Sequence, residues 1–175
     1  MRSLEKLDSN PHGDPHREIT RLIEVYGNAL LRMCFVYLKD YQLAEDAVQD
    51  TFVKALKGYS GFLGKAEEKT WLMRIAINTC KNYLRGTWYR HIEPGKALDQ
   101  IPSEPDPHFE RDNSLVLEIM KLAPKYREVI LLFYYQDMKI REIGNVLKIP
   151  DSTVSIRLKR ARAILNNRLR GWYDV

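Results

Sequence analysis

The chain has 175 residues, 28 Lys and Arg against 23 Asp and Glu, a net charge of +5, and two cysteines. That length holds one large domain or two small ones, and the isolated Cys34 and Cys80 exclude a disulfide framework or a zinc site. No apolar run reaches a membrane span, and the N-terminus, with Glu5, Asp8 and Pro11, lacks the apolar core of a signal peptide; the expected location is a reducing cytoplasm, without membrane insertion.

Residues 1 to 16 are polar, contain Pro11, Gly13 and Pro15, and read as a flexible tail. A first domain is expected over residues 17 to 90. Ile19, Leu22, Ile23, Tyr26, Leu30, Met33 and Tyr37 recur at helical spacing, and the pattern ends at Lys39-Asp40. Ala44, Ala47, Val48, Thr51, Phe52, Ala55 and Leu56 share one face of a second helix that Gly58 stops. Residues 58 to 69 hold three glycines and read as a loop, after which Thr70 is expected to cap a third helix. Leu72, Ile75, Ala76, Thr79 and Tyr83 of that helix face a core.

The outer faces of these helices differ. On the second, Gln42, Asp46, Gln49, Asp50, Val53 and Lys57 cluster, so a valine stands among acids and amides. A solvated face tolerates one such valine; a protein-binding patch with an apolar centre and a polar rim uses it. On the third, Trp71, Arg74, Asn78, Lys81, Asn82 and Arg85 lie together, followed by Trp88, Tyr89 and Arg90. Cations interleaved with aromatics suit single-stranded nucleic acid, since cations meet phosphates and rings stack on unpaired bases, although Trp71 also fits a core position.

Residues 91 to 113 carry Pro94, Pro102, Pro105 and Pro107 and read as a flexible acidic linker to a second domain over residues 114 to 175. The linker holds 2 Lys and Arg against 6 Asp and Glu, a net −4, whereas the second domain holds 12 against 6, a net +6. Its apolar pattern starts at Leu115, runs through Val116, Ile119 and Leu122 to Pro124, and resumes with Val129, Ile130, Leu132 and Phe133. Ile140, Ile143 and Leu147 mark a short helix, residues 148 to 151 break it, and Asp151 or Ser152 is expected to cap the next. That last helix has no acid from residue 152 to 173, a buried stripe of Val154, Leu158, Ala161 and Leu165, and Ser152, Ser155, Ile156, Lys159 and Arg160 facing outward. A short helix, a tight break and a basic helix form a helix-turn-helix, whose second helix fits the major groove of DNA. With no strand alternation, the fold class is all-α: two small helical domains joined by a linker.

Three blocks now stand in order: Leu43-Ala44-Glu45-Asp46-Ala47-Val48-Gln49-Asp50-Thr51-Phe52; Trp71-Leu72-Met73-Arg74-Ile75-Ala76-Ile77-Asn78; and Glu142-Ile143 with Thr153-Val154 and Arg157-Leu158-Lys159-Arg160-Ala161-Arg162. Over about residues 17 to 170 the chain resembles the extracytoplasmic-function (ECF) group of bacterial RNA polymerase sigma factors. The resemblance implies that Asp46, Gln49 and Asp50, with Val53 on the same face, dock on the clamp helices of the polymerase β′ subunit. It implies that the loop and third helix recognise and melt the minus-ten promoter element around a flipped base, with Lys65, Lys69, Thr70, Trp71, Arg74, Asn78, Lys81 and Arg85 as candidates. It implies that the second domain binds the β flap and reads the minus-thirty-five element through Ser152, Thr153, Ser155, Ile156, Arg157, Lys159 and Arg160, with Arg162 on a flanking phosphate. The linker then corresponds to a segment near the RNA exit path, or simply to a solvated tether. No metal, cofactor or catalytic group is implied, and an anti-sigma factor is an expected partner.

Three positions depart from the family pattern: Asn82 replaces a usual Asp, Lys148 a usual Gly in the turn, and Ile156 a frequent small polar residue. Two rival functions fare worse. A stand-alone operator reader needs a dimer and a ligand or phosphoacceptor domain, and residues 17 to 90 show neither a βα alternation nor a receiver acid cluster. A nuclease would use Asp46 and Asp50 as metal ligands, but no further ligands accompany them and the four histidines are scattered.

Overall fold

The computed structural model describes residues 14–62, 67–85 and 113–173; Lys65, most of the expected tail and nearly all of the expected linker lie outside them. The described residues are helical with no strand: α1 Pro15–Leu38, α2 Tyr41–Gly58, a short 3-10 turn Tyr59–Gly61, α3 Glu68–Arg85, α4 Asn113–Met120, α5 Pro124–Ile130 continuing into a π-helical turn Leu131–Tyr135, α6 Ile140–Leu147 and α7 Asp151–Tyr173.

Local chemistry sets the boundaries. The Asp14 carboxylate accepts from the His16 N–H at 3.1 Å and Pro15 takes the first helical position, so α1 begins inside the expected tail. At its other end Lys39 is left-handed (φ 63°) and donates its N–H to the Phe35 carbonyl at 2.7 Å. Asp40 then accepts from the Leu43 N–H at 2.8 Å, which starts α2 and turns the chain back on α1. Thr70 does not cap α3. The helix starts at Glu68, whose charge suits a helix N-terminus and pairs with Arg21 of α1, and Thr70 is buried in the first turn.

In the first unit α1, α2 and α3 bury Leu22, Leu30, Ala47, Phe52, Leu72 and Ala76 against one another. Ile23 leaves the expected stripe and is 47% exposed, because only one side of the N-terminal half of α1 meets α2 and α3. The C-terminal end of α1 behaves oppositely: Met33, Cys34, Phe35, Val36, Tyr37 and Leu38 are all buried. A helix apolar all round is covered all round, and here α4, α5 and the π-helical turn pack on the side that α2 leaves open. The second unit surrounds α7, with Val116, Val129, Leu132, Ile143, Val154, Leu158, Ala161 and Leu165 inside, and its core is continuous with that of the first.

Arg127 of α5 crosses this junction. Buried almost completely, it donates to the Tyr37 carbonyl at 2.5 Å, the Met120 carbonyl at 2.7 Å and the Leu122 carbonyl at 2.8 Å. These carbonyls lie where α1 and α4 end, and such ends carry unshared acceptors and partial negative charge. Its guanidinium also lies 5.8 Å from the centre of the Tyr37 ring. Burial, with Arg127 nearby, pulls the Lys39 ammonium down to about 8.

The turn between α6 and α7 is built to one tolerance. Lys148 is left-handed (φ 55°, ψ 48°), and the Ile149 N–H donates to the Gly144 carbonyl at 3.1 Å. A Cβ at Gly144 would lie 2.7 Å from the Asp151 Oδ1 and 2.9 Å from the Ile149 carbonyl oxygen, so only glycine fits without movement. The expected cap by Asp151 or Ser152 gives way to the Pro150 carbonyl, which accepts from Thr153 at 2.9 Å and Val154 at 3.1 Å and makes Asp151 the first helical residue.

Arg127→Met leaves three buried carbonyls without their donor and should lower unfolding free energy by about 3 kcal/mol in urea titration. A loss below about 1 kcal/mol would show that the junction does not depend on it. Lys148→Gly relieves a left-handed side chain and should raise stability by about 1 kcal/mol by thermal melting, whereas an unchanged or lower midpoint contradicts the strain.

Candidate nucleic-acid and protein interfaces

Three outer faces emerge. On α2, Gln49 and Asp50 are exposed, Asp46 is half-buried, and Val53 is 49% exposed between them. Asp50 is held in place by the Tyr83 hydroxyl of α3 at 3.1 Å. Burial first, and the Asp50 carboxylate second, push the Tyr83 phenol up to about 12, so this donor stays protonated across the physiological range. Lys54, one turn further along the same seam, donates to Thr79 Oγ1 at 3.0 Å and also ties α2 to α3.

The candidates on and before α3 separate into two groups. Asn78 and Arg85 are exposed, as is Asn82. Trp71 is half-buried in an aromatic cluster, stacked on Phe62 at 4.7 Å and edge-on to Tyr59 at 6.2 Å. The remaining cations are engaged by the second unit: Lys69 donates to the Gln136 carbonyl, Arg74 to the Asn145 carbonyl at 2.7 Å, and Lys81 pairs with Glu128 at 2.9 Å. Spacing along α3 groups these side chains, but their acceptors come from α5, from Gln136 just after the π-helical turn, and from α6.

On α7, Ser152, Ser155, Ile156, Lys159 and Arg160 face outward while Val154, Leu158, Ala161 and Leu165 face in. Thr153 is half-buried. Ile156 is 51% exposed, so the chain's departure at this position puts an apolar side chain in the middle of the basic face. Two arginines are less available. Arg157 pairs with Glu128 at 2.9 Å, and Arg162 donates to the Tyr134 hydroxyl at 2.7 Å while lying 5.3 Å and 5.5 Å from the Phe133 and Tyr134 ring centres. On α6, Glu142 reaches back to the Lys139 N–H at 2.6 Å, which accounts for an acid at the third position of this helix.

Residues that pattern reading missed include Glu128 and Glu118, both buried. Glu118 of α4 takes Lys121 at 2.6 Å and Arg168 of α7 at 3.4 Å, fixing the far end of the basic helix. Cys34 and Cys80 are fully buried free thiols with sulfurs 3.5 Å apart, and the Cys80 hydrogen bond together with burial raises the Cys34 thiol well above its ordinary value. Among the described residues no group of His, Cys, Asp and Glu is placed to hold a metal, and no helix is long and apolar enough to cross a membrane.

Comparison with known proteins agrees with this arrangement. The family model described as Sigma-70 region 2 matches residues 22–90, and that described as Sigma-70, region 4 matches residues 112–165. The ECF RNA polymerase sigma factor SigW of Bacillus subtilis is 30% identical over an alignment covering 97% of this chain and 95% of the relative. The RNA polymerase sigma factor YlaC of the same organism is 33% identical, with 88% and 94% covered. Among solved structures, CnrH in complex with the cytosolic domain of CnrY superposes with a TM-score of 0.70 at 27% identity, covering 91% of each chain. The sigma factor RpoE bound to the anti-sigma factor NepR from Bartonella quintana shares the fold, with a TM-score of 0.74 at 21% identity over 91% of this chain and 99% of that one. The chain therefore belongs to the ECF sigma factors, the subunits that bind core RNA polymerase, recognise the minus-ten and minus-thirty-five promoter elements and promote melting of the DNA.

Proposed function

We propose a residue-level division of this work. Asp46, Gln49, Asp50 and Val53 on α2 form the docking face for the polymerase β′ clamp helices, an apolar centre with a polar rim. Asn78 and Arg85, with Lys65, Lys69, Trp71, Arg74 and Lys81, hold the melted minus-ten strand, and the buried Thr70 supports them from within the first turn of α3. Ser152, Thr153, Ser155, Ile156, Lys159 and Arg160 read the minus-thirty-five element, with Arg157 and Arg162 contributing charge near phosphates. The observation that supports this reading best is α7: a long helix acid-free from residue 152 whose exposed N-terminal face holds small polar and cationic side chains.

The subunit works in the cytoplasm by binding rather than by catalysis, since the energy for unstacking a base, a few kcal/mol, comes from pocket and phosphate contacts. Residues 17 to 90 and 114 to 175 act as the two grips, joined through residues 91 to 113. An anti-sigma factor is a further partner, a reading supported by the complex in which the similar RpoE holds NepR.

Asp46→Arg combined with Gln49→Ala should reduce affinity for core polymerase at least about tenfold while leaving the thermal midpoint near that of the parent chain. Undiminished co-purification with core contradicts the docking face. Asn78→Ala is a cleaner probe of melting than Trp71→Ala, because Trp71 also packs on Phe62. Once in vitro transcription on genomic fragments has supplied a promoter, Asn78→Ala should slow opening of the duplex by about tenfold and weaken binding to a pre-melted template by less. Equal losses on both templates would remove α3 from the melting step.

A further inference from the structure

Among the described residues, Ile156 is the one large apolar side chain that α7 leaves exposed to solvent, at 51%. With about 100° between successive residues, it stands almost diametrically opposite the buried stripe of Val154, Leu158, Ala161 and Leu165. The packing that covers the stripe therefore leaves it bare. Counted from Asp151 it falls in the second turn of α7, where the outward side chains of a recognition helix come within reach of base edges. Its neighbours on that face are polar: Ser152 lies one turn before it, and Lys159 and Arg160 one turn after, all exposed. Ser155 also points outward, but its hydroxyl donates to the Asp151 carbonyl at 3.0 Å, which commits its one proton within the helix.

An aliphatic side chain at the centre of such a face gains nothing from phosphates, which its cationic neighbours meet. In the major groove each base pair shows donors and acceptors, and the pairs containing thymine add one apolar feature, the C5 methyl. Against a polar edge Ile156 would strip away water without replacing its hydrogen bond. Against the methyl, two apolar surfaces leave water together. We propose that Ile156 is a specificity-determining residue that reads the C5 methyl of one thymine in the minus-thirty-five element. The proposal rests on the reading of α7 as the upstream recognition helix. Lys159 and Arg160 hold the helix in the groove, and Ile156 selects the base step that lies beneath the middle of its face. The departure of this chain from the family pattern at position 156 thereby becomes a promoter preference of its own.

The test uses holoenzyme assembled from the full chain and core polymerase, on the promoter that in vitro transcription supplies. Each thymine of the upstream element, on either strand, is replaced in turn by deoxyuridine, which removes the methyl and keeps every hydrogen-bonding group. Affinity is read by competition against a fluorescein-labelled promoter at fixed salt. One thymine should respond, with affinity falling about fourfold, as expected for one buried methyl. Ile156→Ser should bind the thymine and deoxyuridine templates equally, whereas Ile156→Val should keep the preference. An upstream element with no methyl-sensitive thymine overturns the proposal. So does a thymine that stays sensitive in Ile156→Ser, since its methyl then meets another residue. Hydroxyl-radical footprinting separates such a failure from that of the underlying reading. Upstream protection that is lost when Lys159 and Arg160 are both replaced by Ala leaves α7 as the recognition helix, and protection that survives both changes removes that reading together with the proposal.

Discussion

A buried guanidinium decides how this molecule is assembled. Burying a charge costs several kcal/mol unless hydrogen-bond acceptors replace water, and Arg127 finds them where α1 and α4 end. Both helices must therefore end at one place, and the segment carrying Arg127 must lie across them. From this follow the all-round burial of residues 33 to 38, the shared core of the two units and the approach of α5 and α6 to α3. The ion pair of Lys81 and the hydrogen bonds of Lys69 and Arg74 are consequences of that placement rather than its cause, since they are more exposed and individually worth less.

Local features were legible in the sequence. The stripe and the outer face of α7 follow from spacing alone, as does the burial of Ala44, Ala47, Thr51, Phe52 and Ala55 on α2. The joint at Lys39-Asp40 was visible as a break, and Lys148 indeed takes the left-handed conformation that its unusual identity put in question. Boundaries set by capping chemistry were read less well. The start at Pro15 was signalled by Asp14 and Pro15 themselves, and the start of α3 by the acidic pair before Thr70. What pattern could not supply was pairing at long range. Arg127 and the Tyr37 carbonyl are 90 positions apart, and nothing in the period of either helix announces the contact. Glu128 is hidden for the same reason, since a single acid beside Arg127 has no spacing signature. Gly144 was recoverable in principle, as a glycine inside a helical pattern next to a turn.

Placement also separates the candidate side chains by their availability. The outer face of α2 and the N-terminal face of α7 are open, whereas much of the charge on α3 is already neutralised within the molecule. The arrangement thus leaves the acidic face of α2 more accessible than the cationic face of α3. The pair of buried thiols contributes to the same rigidity, because inaccessible sulfhydryls behave as small apolar groups between α1 and α3.

The junction at Arg127 makes the two units one closed body in the free subunit, and two grips on one promoter require them to separate there. That separation is tested most directly by pulsed electron–electron double resonance between spin labels at two exposed positions, Glu24 on α1 and Asn166 on α7, after substitution of each by cysteine. One narrow distance distribution is expected for the free chain, replaced by a longer one in the complex with core polymerase and melted promoter. The same distribution in both states, or a broad one in the free chain, would contradict it.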